Sequence, residues 1–296
     1  MSPYRLLIVL LIGFGAVPLA GPVALAAEAV RFTAAGVQPS PLKRRMQRML
    51  GEEAKPSPGI ALRGRLFRPP TGPGPNPGLV LLHGCFGITP AIEDWAARFA
   101  DWGYATLLVD SYGPRRHRPS CLRYDDLETI DQTFDGLGAL QYLAGRPDVD
   151  GGRVGLVGWS VGGSKVLAAL NRIGVHNLYA EKFRLGVAFY PYCLAASGPF
   201  IGPLLLLAGA DDDWTPPRHC RRLAARNADS DHPPDLRVYP AAHFFDDPDV
   251  GPARLRPEIE NREKTPSRGV TWGYSAAADE AARADVRAFL RRWLPP

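Results

Sequence analysis

The chain has 296 residues, of which 46% are hydrophobic and 22% charged, so it can bury a large core and is not disordered as a whole. Its 31 glycines and 30 prolines make up about a fifth of the residues, below the roughly 25–30% typical of low-complexity sequence. The net charge of +5 comes from basic residues scattered along the chain, which argues against a nucleic-acid-binding protein.

Residues 1–26 are predicted to be a secretory signal peptide. Arg5 precedes an unbroken apolar run over Leu6–Val17, and Ala-Leu-Ala at positions 24–26 has the small-x-small pattern of a cleavage site. A retained membrane anchor is the alternative, since residues 6–27 carry no charge. Two prolines in this segment and the cleavage pattern favour removal. We therefore expect an exported protein, periplasmic or secreted, with no stable membrane anchor after cleavage.

Residues 27–59 are predicted to be an N-terminal extension of the main domain. Within them, Leu42–Glu53 has the spacing of a helix, with four apolar residues on one side: Leu42, Met46, Met49 and Leu50. The same segment carries four basic residues that offer contact with an anionic surface: Lys43, Arg44, Arg45 and Arg48. A solvated helix face is the favoured interpretation of these charges.

From residue 60 to residue 296, apolar segments alternate with stretches long enough for helices. Ile60–Phe67 alternates apolar and polar residues and is predicted to be a half-buried strand. Six short apolar runs follow as further strands: Leu79–Leu82, Ala105–Val109, Val154–Val157, Gly186–Phe189, Leu204–Ala208 and Leu236–Tyr239. The predicted helices are Ile92–Trp102, Asp126–Leu143, Val161–Asn171, His219–Asn227 and Ala276–Trp293. This alternation indicates one α/β domain with a mostly parallel central sheet and helices on both faces.

A candidate nucleophile lies between a predicted strand and a predicted helix. Gly158–Gly162 has the pattern G-x-S-x-G, with Ser160 at its centre. At a sharp strand-to-helix turn the serine hydroxyl is lifted above the sheet, and the helix N-terminus favours developing negative charge. The alternative is a glycine-flanked helix N-cap without chemistry.

A base and an acid follow downstream, as a serine nucleophile requires. Of the six histidines, only His243 follows the last predicted strand, where the base is expected. The acid lies in the loop Gly209–Pro216, which holds three consecutive aspartates at positions 211–213. These three acids are also compatible with metal binding, but no other acidic cluster is spaced to complete a metal site, so no metal is expected.

Four segments resemble the dienelactone hydrolase family, a branch of the α/β-hydrolase fold: Leu81–Gly87, Asp110–Arg115, Gly158–Gly162 and Tyr239–His243. The resemblance covers roughly residues 60–293. It implies that Ser160 is the nucleophile, His243 the general base and Asp212 the orienting acid, with Asp211 and Asp213 solvated or bonded within their loop. It also implies an oxyanion hole formed by the backbone N–H groups of Cys85 and Val161.

Two departures from the family refine the expected activity. Dienelactone hydrolases carry cysteine where this chain has Ser160, and glutamate where it has Gly84. We therefore expect an exported serine hydrolase that cleaves small-molecule carboxylic esters or lactones through an acyl-enzyme, without metal or organic cofactor. The alternatives are a peptidase on the same fold and a catalytically inactive ligand-binding protein. The sequence does not indicate the oligomeric state.

Aromatic residues near the predicted site are candidates for substrate binding. Trp159 flanks the nucleophile, Phe86 follows the predicted oxyanion turn, and Tyr112 and Trp214 lie on loops after strands. All four are expected to line an acyl pocket, with core packing as the alternative.

The four cysteines are expected to form two disulfides in an oxidising compartment. In α/β hydrolases the strands that precede Cys85 and Cys121 are neighbours, and so are the strands that precede Cys193 and Cys220. The resemblance therefore implies the pairs Cys85–Cys121 and Cys193–Cys220. Buried free thiols are the alternative.

Overall fold

The computed structural model describes residues 27–70, 74–124 and 130–296. The predicted signal peptide, residues 1–26, lies outside the described residues, as does the start of the helix predicted over Asp126–Leu143. In the part of the chain that is described, no helix is both long and apolar enough to span a membrane.

Eight strands form the central sheet, in the spatial order β1-β2-β4-β3-β5-β6-β7-β8. Their bounds are β1 (Glu28–Thr33), β2 (Ala61–Phe67), β3 (Asn76–Leu82), β4 (Ala105–Asp110), β5 (Val149–Trp159), β6 (Gly186–Phe189), β7 (Leu204–Gly209) and β8 (Asp235–Tyr239). Strands β4 to β8 and β3 are parallel to one another, whereas β2 pairs antiparallel with both β1 and β4. The predicted fold class, with a mostly parallel central sheet, is confirmed.

Helices cover both faces of this sheet. Their bounds are α1 (Pro41–Met49), α2 (Pro90–Asp101), α3 (Gln132–Ala144), α4 (Val161–Leu170), α5 (Pro217–Arg226) and α6 (Ala276–Trp293). Side chains of α2 and α6 pack into one buried cluster, and side chains of α3, α4 and α5 pack into another on the opposite face.

Strand β3 explains why the central strands are apolar throughout. Leu79 and Leu81 belong to the first cluster, whereas Val80 and Leu82 belong to the second, and all four side chains are fully buried. A strand with helices on both faces has no polar side, so its sequence is a continuous apolar run.

Three strands of the structure have no counterpart in the prediction. β1 adds an edge strand to the sheet from the segment before residue 60. A separate antiparallel hairpin, β9 (Arg254–Glu260) and β10 (Arg268–Trp272), lies between β8 and α6.

Two disulfides join loops that leave neighbouring strands. Cys85, after β3, is bonded to Cys121, after β4, and Cys193, after β6, is bonded to Cys220 at the start of α5. Because these loops lie at the carboxyl edge of the parallel strands, both bonds restrain the edge on which Ser160 lies.

Candidate active site

Ser160 lies at a strained turn between β5 and α4. Its φ of 52° is in the left-handed region that non-glycine residues rarely adopt, and its backbone N–H donates to the carbonyl of Phe189 at 2.9 Å. Gly158 and Gly162 make this turn possible, because a Cβ on Gly158 would overlap the backbone of Gly162, and one on Gly162 would overlap the carbonyl of Leu82. The turn places the Ser160 side chain at the carboxyl edge of the sheet.

A continuous hydrogen-bond chain joins Ser160, His243 and Asp212. Nε2 of His243 is 3.0 Å from Oγ of Ser160, and Nδ1 of His243 is 2.7 Å from Oδ2 of Asp212. His243 follows β8 and Asp212 follows β7, so three strand ends supply the three groups. All three residues are buried. Since an ionised carboxylate only accepts hydrogen bonds, Nδ1 carries the proton and Nε2 is free to accept one from the Ser160 hydroxyl.

Asp212 is held ionised by its surroundings. Its Oδ1 accepts hydrogen bonds from the backbone N–H groups of Trp214 at 2.9 Å and Thr215 at 2.8 Å. Burial by itself would raise the pKa of Asp212, but the charge and hydrogen bond of His243 and the hydrogen bonds from Thr215 outweigh it and lower the pKa. A charged Asp212 accepts the hydrogen bond from Nδ1 of His243 and so fixes the orientation of the imidazole ring.

Thr215 is a site residue that the sequence analysis did not identify. Its hydroxyl oxygen lies 2.8 Å from Oδ2 of Asp212, 3.1 Å from Nδ1 of His243 and 3.1 Å from the carbonyl oxygen of Tyr190. The threonine therefore fixes both the carboxylate and the imidazole at once.

The neighbouring aspartates have other roles. Asp213 accepts hydrogen bonds from the backbone and hydroxyl of Thr271, at 2.8 and 2.9 Å, and pairs with Lys264 at 2.7 Å. It therefore anchors the β9–β10 hairpin, while Asp211 is exposed. No group of three or more metal-ligating side chains occurs among the described residues.

The turn after β3 lies directly beside Ser160. The backbone N–H of Gly87 donates to the carbonyl of Gly84 at 3.1 Å, and a Cβ on Gly84 would lie 3.5 Å from Cβ of Ser160. Cys85 belongs to this turn, and Val161 is the first residue of α4, whose N–H has no partner within the helix. Both predicted oxyanion donors thus belong to segments that border Ser160.

The His83 side chain holds that turn in place through a hydrogen bond to its backbone. Burial lowers the pKa of His83, which favours a neutral ring, and its Nε2 accepts the backbone N–H of Ser111 at 3.3 Å. Nδ1 is therefore the protonated nitrogen, and it donates to the carbonyl of Gly84 at 2.8 Å.

A cavity of about 200 Å³ opens beside Ser160. Its further lining residues combine aromatic rings with small and polar side chains: Tyr124, Val161, Ser164, Lys165, Tyr192, Ala195, Trp214 and Thr215. A second groove of about 410 Å³ continues from it along α4 and shares Ser164, Lys165, Tyr192 and Ala195. The site thus has room for a small acyl or alcohol group beside the hydroxyl.

The four aromatic residues predicted to bind substrate occupy different places. Trp214 lines the cavity. Phe86 packs against Phe244 and Trp272, and Tyr112 packs edge-on against His83 with ring centroids 4.4 Å apart. Trp159 is stacked on Phe189 in the core. Phe86, Tyr112 and Trp159 are not among the described residues that line this cavity, because each packs against other aromatic rings.

Asp246 lies buried beneath this site, where its carboxylate accepts three hydrogen bonds, and the sequence analysis did not identify it. Its Oδ2 accepts the indole N–H groups of Trp95 at 2.9 Å and Trp159 at 2.8 Å, and its Oδ1 accepts the hydroxyl of Tyr190 at 2.8 Å. The Tyr190 ring lies 4.4 Å from the ring of His243, centroid to centroid. Asp246 therefore holds the aromatic layer that supports both Ser160 and His243.

The parallel sheet, the strained serine turn and the loops after β7 and β8 define an α/β hydrolase. Over residues 62–294 the chain matches the model of the dienelactone hydrolase family. The chain therefore belongs to this family of ester hydrolases.

Individual relatives are more distant. The chain is 23% identical over 197 residues, 60% of its length and 76% of the relative's, to a probable 2-oxo-3-(5-oxofuran-2-ylidene)propanoate lactonase from a Bradyrhizobium species. It is 36% identical over 112 residues, 36% of its length, to acyl-coenzyme A thioesterase 1 from Rattus norvegicus, of which it spans only 23%. Its fold is similar to that of a putative dienelactone hydrolase from Klebsiella pneumoniae, with a TM-score of 0.60, 18% identity and coverage of 91% and 98% of the two chains.

Proposed function

We propose that the protein is an exported serine hydrolase that cleaves carboxylic esters or lactones through an acyl-enzyme. The observation that carries the proposal is the unbroken chain from Ser160 through His243 to Asp212, with heavy-atom distances of 3.0 and 2.7 Å. A weakly nucleophilic hydroxyl becomes reactive when a correctly oriented base accepts its proton as it attacks.

In the first half of the reaction, Oγ of Ser160 attacks the ester carbonyl while Nε2 of His243 takes the hydroxyl proton. The backbone N–H groups of Cys85 and Val161 stabilise the oxygen that becomes negatively charged. The tetrahedral intermediate then expels the alcohol, which receives the proton from His243, and the acyl group remains on Ser160.

In the second half, His243 takes a proton from a water molecule as the water attacks the acyl-enzyme. The tetrahedral intermediate then releases the acid, and Oγ of Ser160 regains its proton from His243. Asp212 acts in both halves of the reaction, because it holds the imidazole in one tautomer and stabilises the positive charge of the ring. Because the same base serves both steps, no metal ion and no organic cofactor is needed.

The proposed export rests on the sequence of residues 1–26 and on the two disulfides, a bond type that persists mainly in oxidising compartments. The cavity beside Ser160 supports a small-molecule ester, with Tyr124, Tyr192 and Trp214 as its aromatic walls.

A fluorophosphonate probe tests the proposed nucleophile, because it labels only a serine activated by a base. We expect labelling of the wild-type protein and complete loss in Ser160→Ala. Ser164→Ala is the matched control, since Ser164 lines the same cavity but lies one turn along α4. Labelling that survives in Ser160→Ala would overturn the proposal, and an unlabelled wild type would indicate an inactive binding protein.

A substrate panel then defines the reaction. Hydrolysis of p-nitrophenyl esters of increasing acyl length is compared with that of a lactone, an acyl thioester and a peptide. We expect turnover of the oxygen esters or the lactone, and turnover of the peptide alone would contradict the proposal.

A further inference from the structure

Helix α1 stands off the domain with its apolar side in solvent. Ser40 caps the helix by accepting the backbone N–H of Lys43 at 3.2 Å, so the helix has a defined start. None of its residues is buried. Its apolar residues and the C-cap leucine expose most of their surface: Leu42 67%, Met46 56%, Met49 78% and Leu50 72%.

The helix is nevertheless held in place at its base. The segment before it pairs with the segment after it through the Val37–Ser57 bridge, and the hydroxyl of Tyr179 donates to the carbonyl of Gly36 at 2.5 Å. α1 is therefore a projecting element with a fixed attachment.

The apolar side chains of α1 form one narrow stripe. At about 100° per residue, Leu42, Met46 and Met49 fall within an arc of about 60°. Lys43 and Arg45 lie at the two borders of the stripe, and Arg44 and Arg48 lie on the opposite side. Pro41–Leu50 contains these four basic residues and no acidic residue.

This arrangement matches the surface of an anionic membrane. There the apolar stripe enters the layer just below the headgroups, while the border residues Lys43 and Arg45 extend their charges up to the phosphates. The lack of acids leaves the whole helix attracted to negative lipid. We propose that α1 docks the protein reversibly on an anionic phospholipid surface, independently of the reaction at Ser160.

The two other occupants of the stripe fit the charges less well. A second copy of α1 packed on the first would bring eight basic side chains together against four acids, Glu52 and Glu53 of each copy, so a surplus of positive charge would remain. The apolar segment Leu6–Val17 of the same chain contains no acid, so it would leave the four basic charges of α1 without a partner. An anionic membrane offers dense negative charge beside an apolar layer, so it matches both the basic residues and the apolar stripe of the helix.

Co-sedimentation with vesicles tests this proposal. The full chain is mixed with vesicles of phosphatidylcholine containing 30% phosphatidylglycerol, or with vesicles of phosphatidylcholine alone. We expect binding to the anionic vesicles, much weaker binding to the neutral ones, and release by 0.5 M NaCl because salt screens the attraction.

Two variants separate the charged and apolar contributions. The first replaces the four basic residues of α1 by glutamine: Lys43→Gln, Arg44→Gln, Arg45→Gln and Arg48→Gln. The second replaces the stripe by serine: Leu42→Ser, Met46→Ser and Met49→Ser. We expect the first to weaken binding to anionic vesicles about a hundredfold or more, and the second at least about tenfold.

A matched control removes the same charge elsewhere. It replaces four exposed arginines outside α1: Arg184→Gln, Arg221→Gln, Arg254→Gln and Arg268→Gln. We expect this control to bind vesicles nearly as tightly as the wild type. All variants are made in the same full chain, so binding through residues 1–26 is common to them and the difference belongs to α1. Hydrolysis of a water-soluble ester should be unchanged in every variant.

Three outcomes would overturn the proposal. The first is that the wild type and the glutamine variant bind anionic vesicles equally well. The second is that the wild type binds neutral and anionic vesicles equally. The third is a wild-type dimer in light scattering that becomes a monomer in the Leu42→Ser, Met46→Ser, Met49→Ser variant, because a second copy would then cover the stripe.

Discussion

Replacing Asp246 by asparagine should make the protein's stability less dependent on pH. Asp246 is 2% exposed, and burial raises its pKa to about 6, even though hydrogen bonds from Trp159, Tyr190 and Trp95 act to lower it. The neighbouring charge of Asp279 adds to the increase. Compared with an ordinary value of 3.8, the shift of about two units corresponds to about 3 kcal/mol of unfolding free energy.

The direction of the effect follows from proton binding. Between about pH 4 and pH 6 the folded protein keeps the proton on Asp246, whereas the unfolded chain has lost it. The contribution of this group is therefore most favourable at low pH and declines as the pH rises through that window. Above about pH 6 the buried charge lowers the unfolding free energy by the full amount of about 3 kcal/mol.

Asparagine has the same shape and cannot ionise. Its carbonyl oxygen can accept the N–H groups of Trp95 and Trp159, and its amide can donate to the hydroxyl of Tyr190. Any change in the strength of these hydrogen bonds is independent of pH, so it cancels when the same variant is compared at two pH values.

Urea denaturation at pH 4.5 and pH 7.5 measures the effect. Between these values, we expect the unfolding free energy of the variant to gain about 2 kcal/mol relative to that of the wild type, since part of the pH window lies below pH 4.5. Asp211→Asn, at an exposed carboxylate, serves as the control, and its unfolding free energy should change between the two pH values by the same amount as that of the wild type. If the unfolding free energy of Asp246→Asn also changes by that amount, the buried charge does not have the assigned cost and the reasoning is wrong.

Three further predictions concern the site and its loops. Asp212→Asn should lower kcat about ten-thousandfold, because the imidazole loses its orienting charge, whereas Asp213→Asn, which only loosens the hairpin, should cost much less in the same esterase assay. Thr215→Val should lower kcat about ten- to a hundredfold with little change in KM, since its hydroxyl contacts Asp212 and His243 but its side chain keeps its shape; an unchanged kcat would contradict this role. Replacing Cys85 and Cys121 together by alanine should lower the unfolding free energy by about 2–4 kcal/mol in urea titrations, and an equally stable variant would show that the bond does not restrain the unfolded chain.

The central sheet could be predicted because burial on both faces leaves a strong pattern. β6 has the predicted bounds, and α6 does too, since an amphipathic segment followed by two prolines has clear ends. The places of the candidate site residues at strand ends could also be predicted, because parallel strands bring their carboxyl ends to one edge of the sheet.

The hairpin could not be predicted in this way. In β9 only Ile259 is buried, and the remaining residues are mainly charged and exposed, so the segment has no apolar period. Its position depends on Asp213 and on the buried Val270 and Trp272 of β10. The contact between Asp213 and Thr271 joins residues 58 positions apart, so no local pattern records it.

Strand β1 differs from the hairpin, because it carries a pattern that is visible in the sequence. Val30 and Phe32 are buried and alternate with exposed residues, which is a short strand signal.

Asp246 shows where prediction from sequence ends for the site itself. Ser160 and His243 can be located from the sequence because the chemistry proposed for them requires fixed places after particular strands. Asp246 acts through partners 151, 87 and 56 positions away in the chain, and no motif records such distances. The one local signal is its place directly after Phe244 and Phe245, where an acid enters an apolar segment. An acid in that context must find hydrogen-bond donors inside the protein, and here those donors belong to the aromatic layer that packs beneath Ser160 and His243.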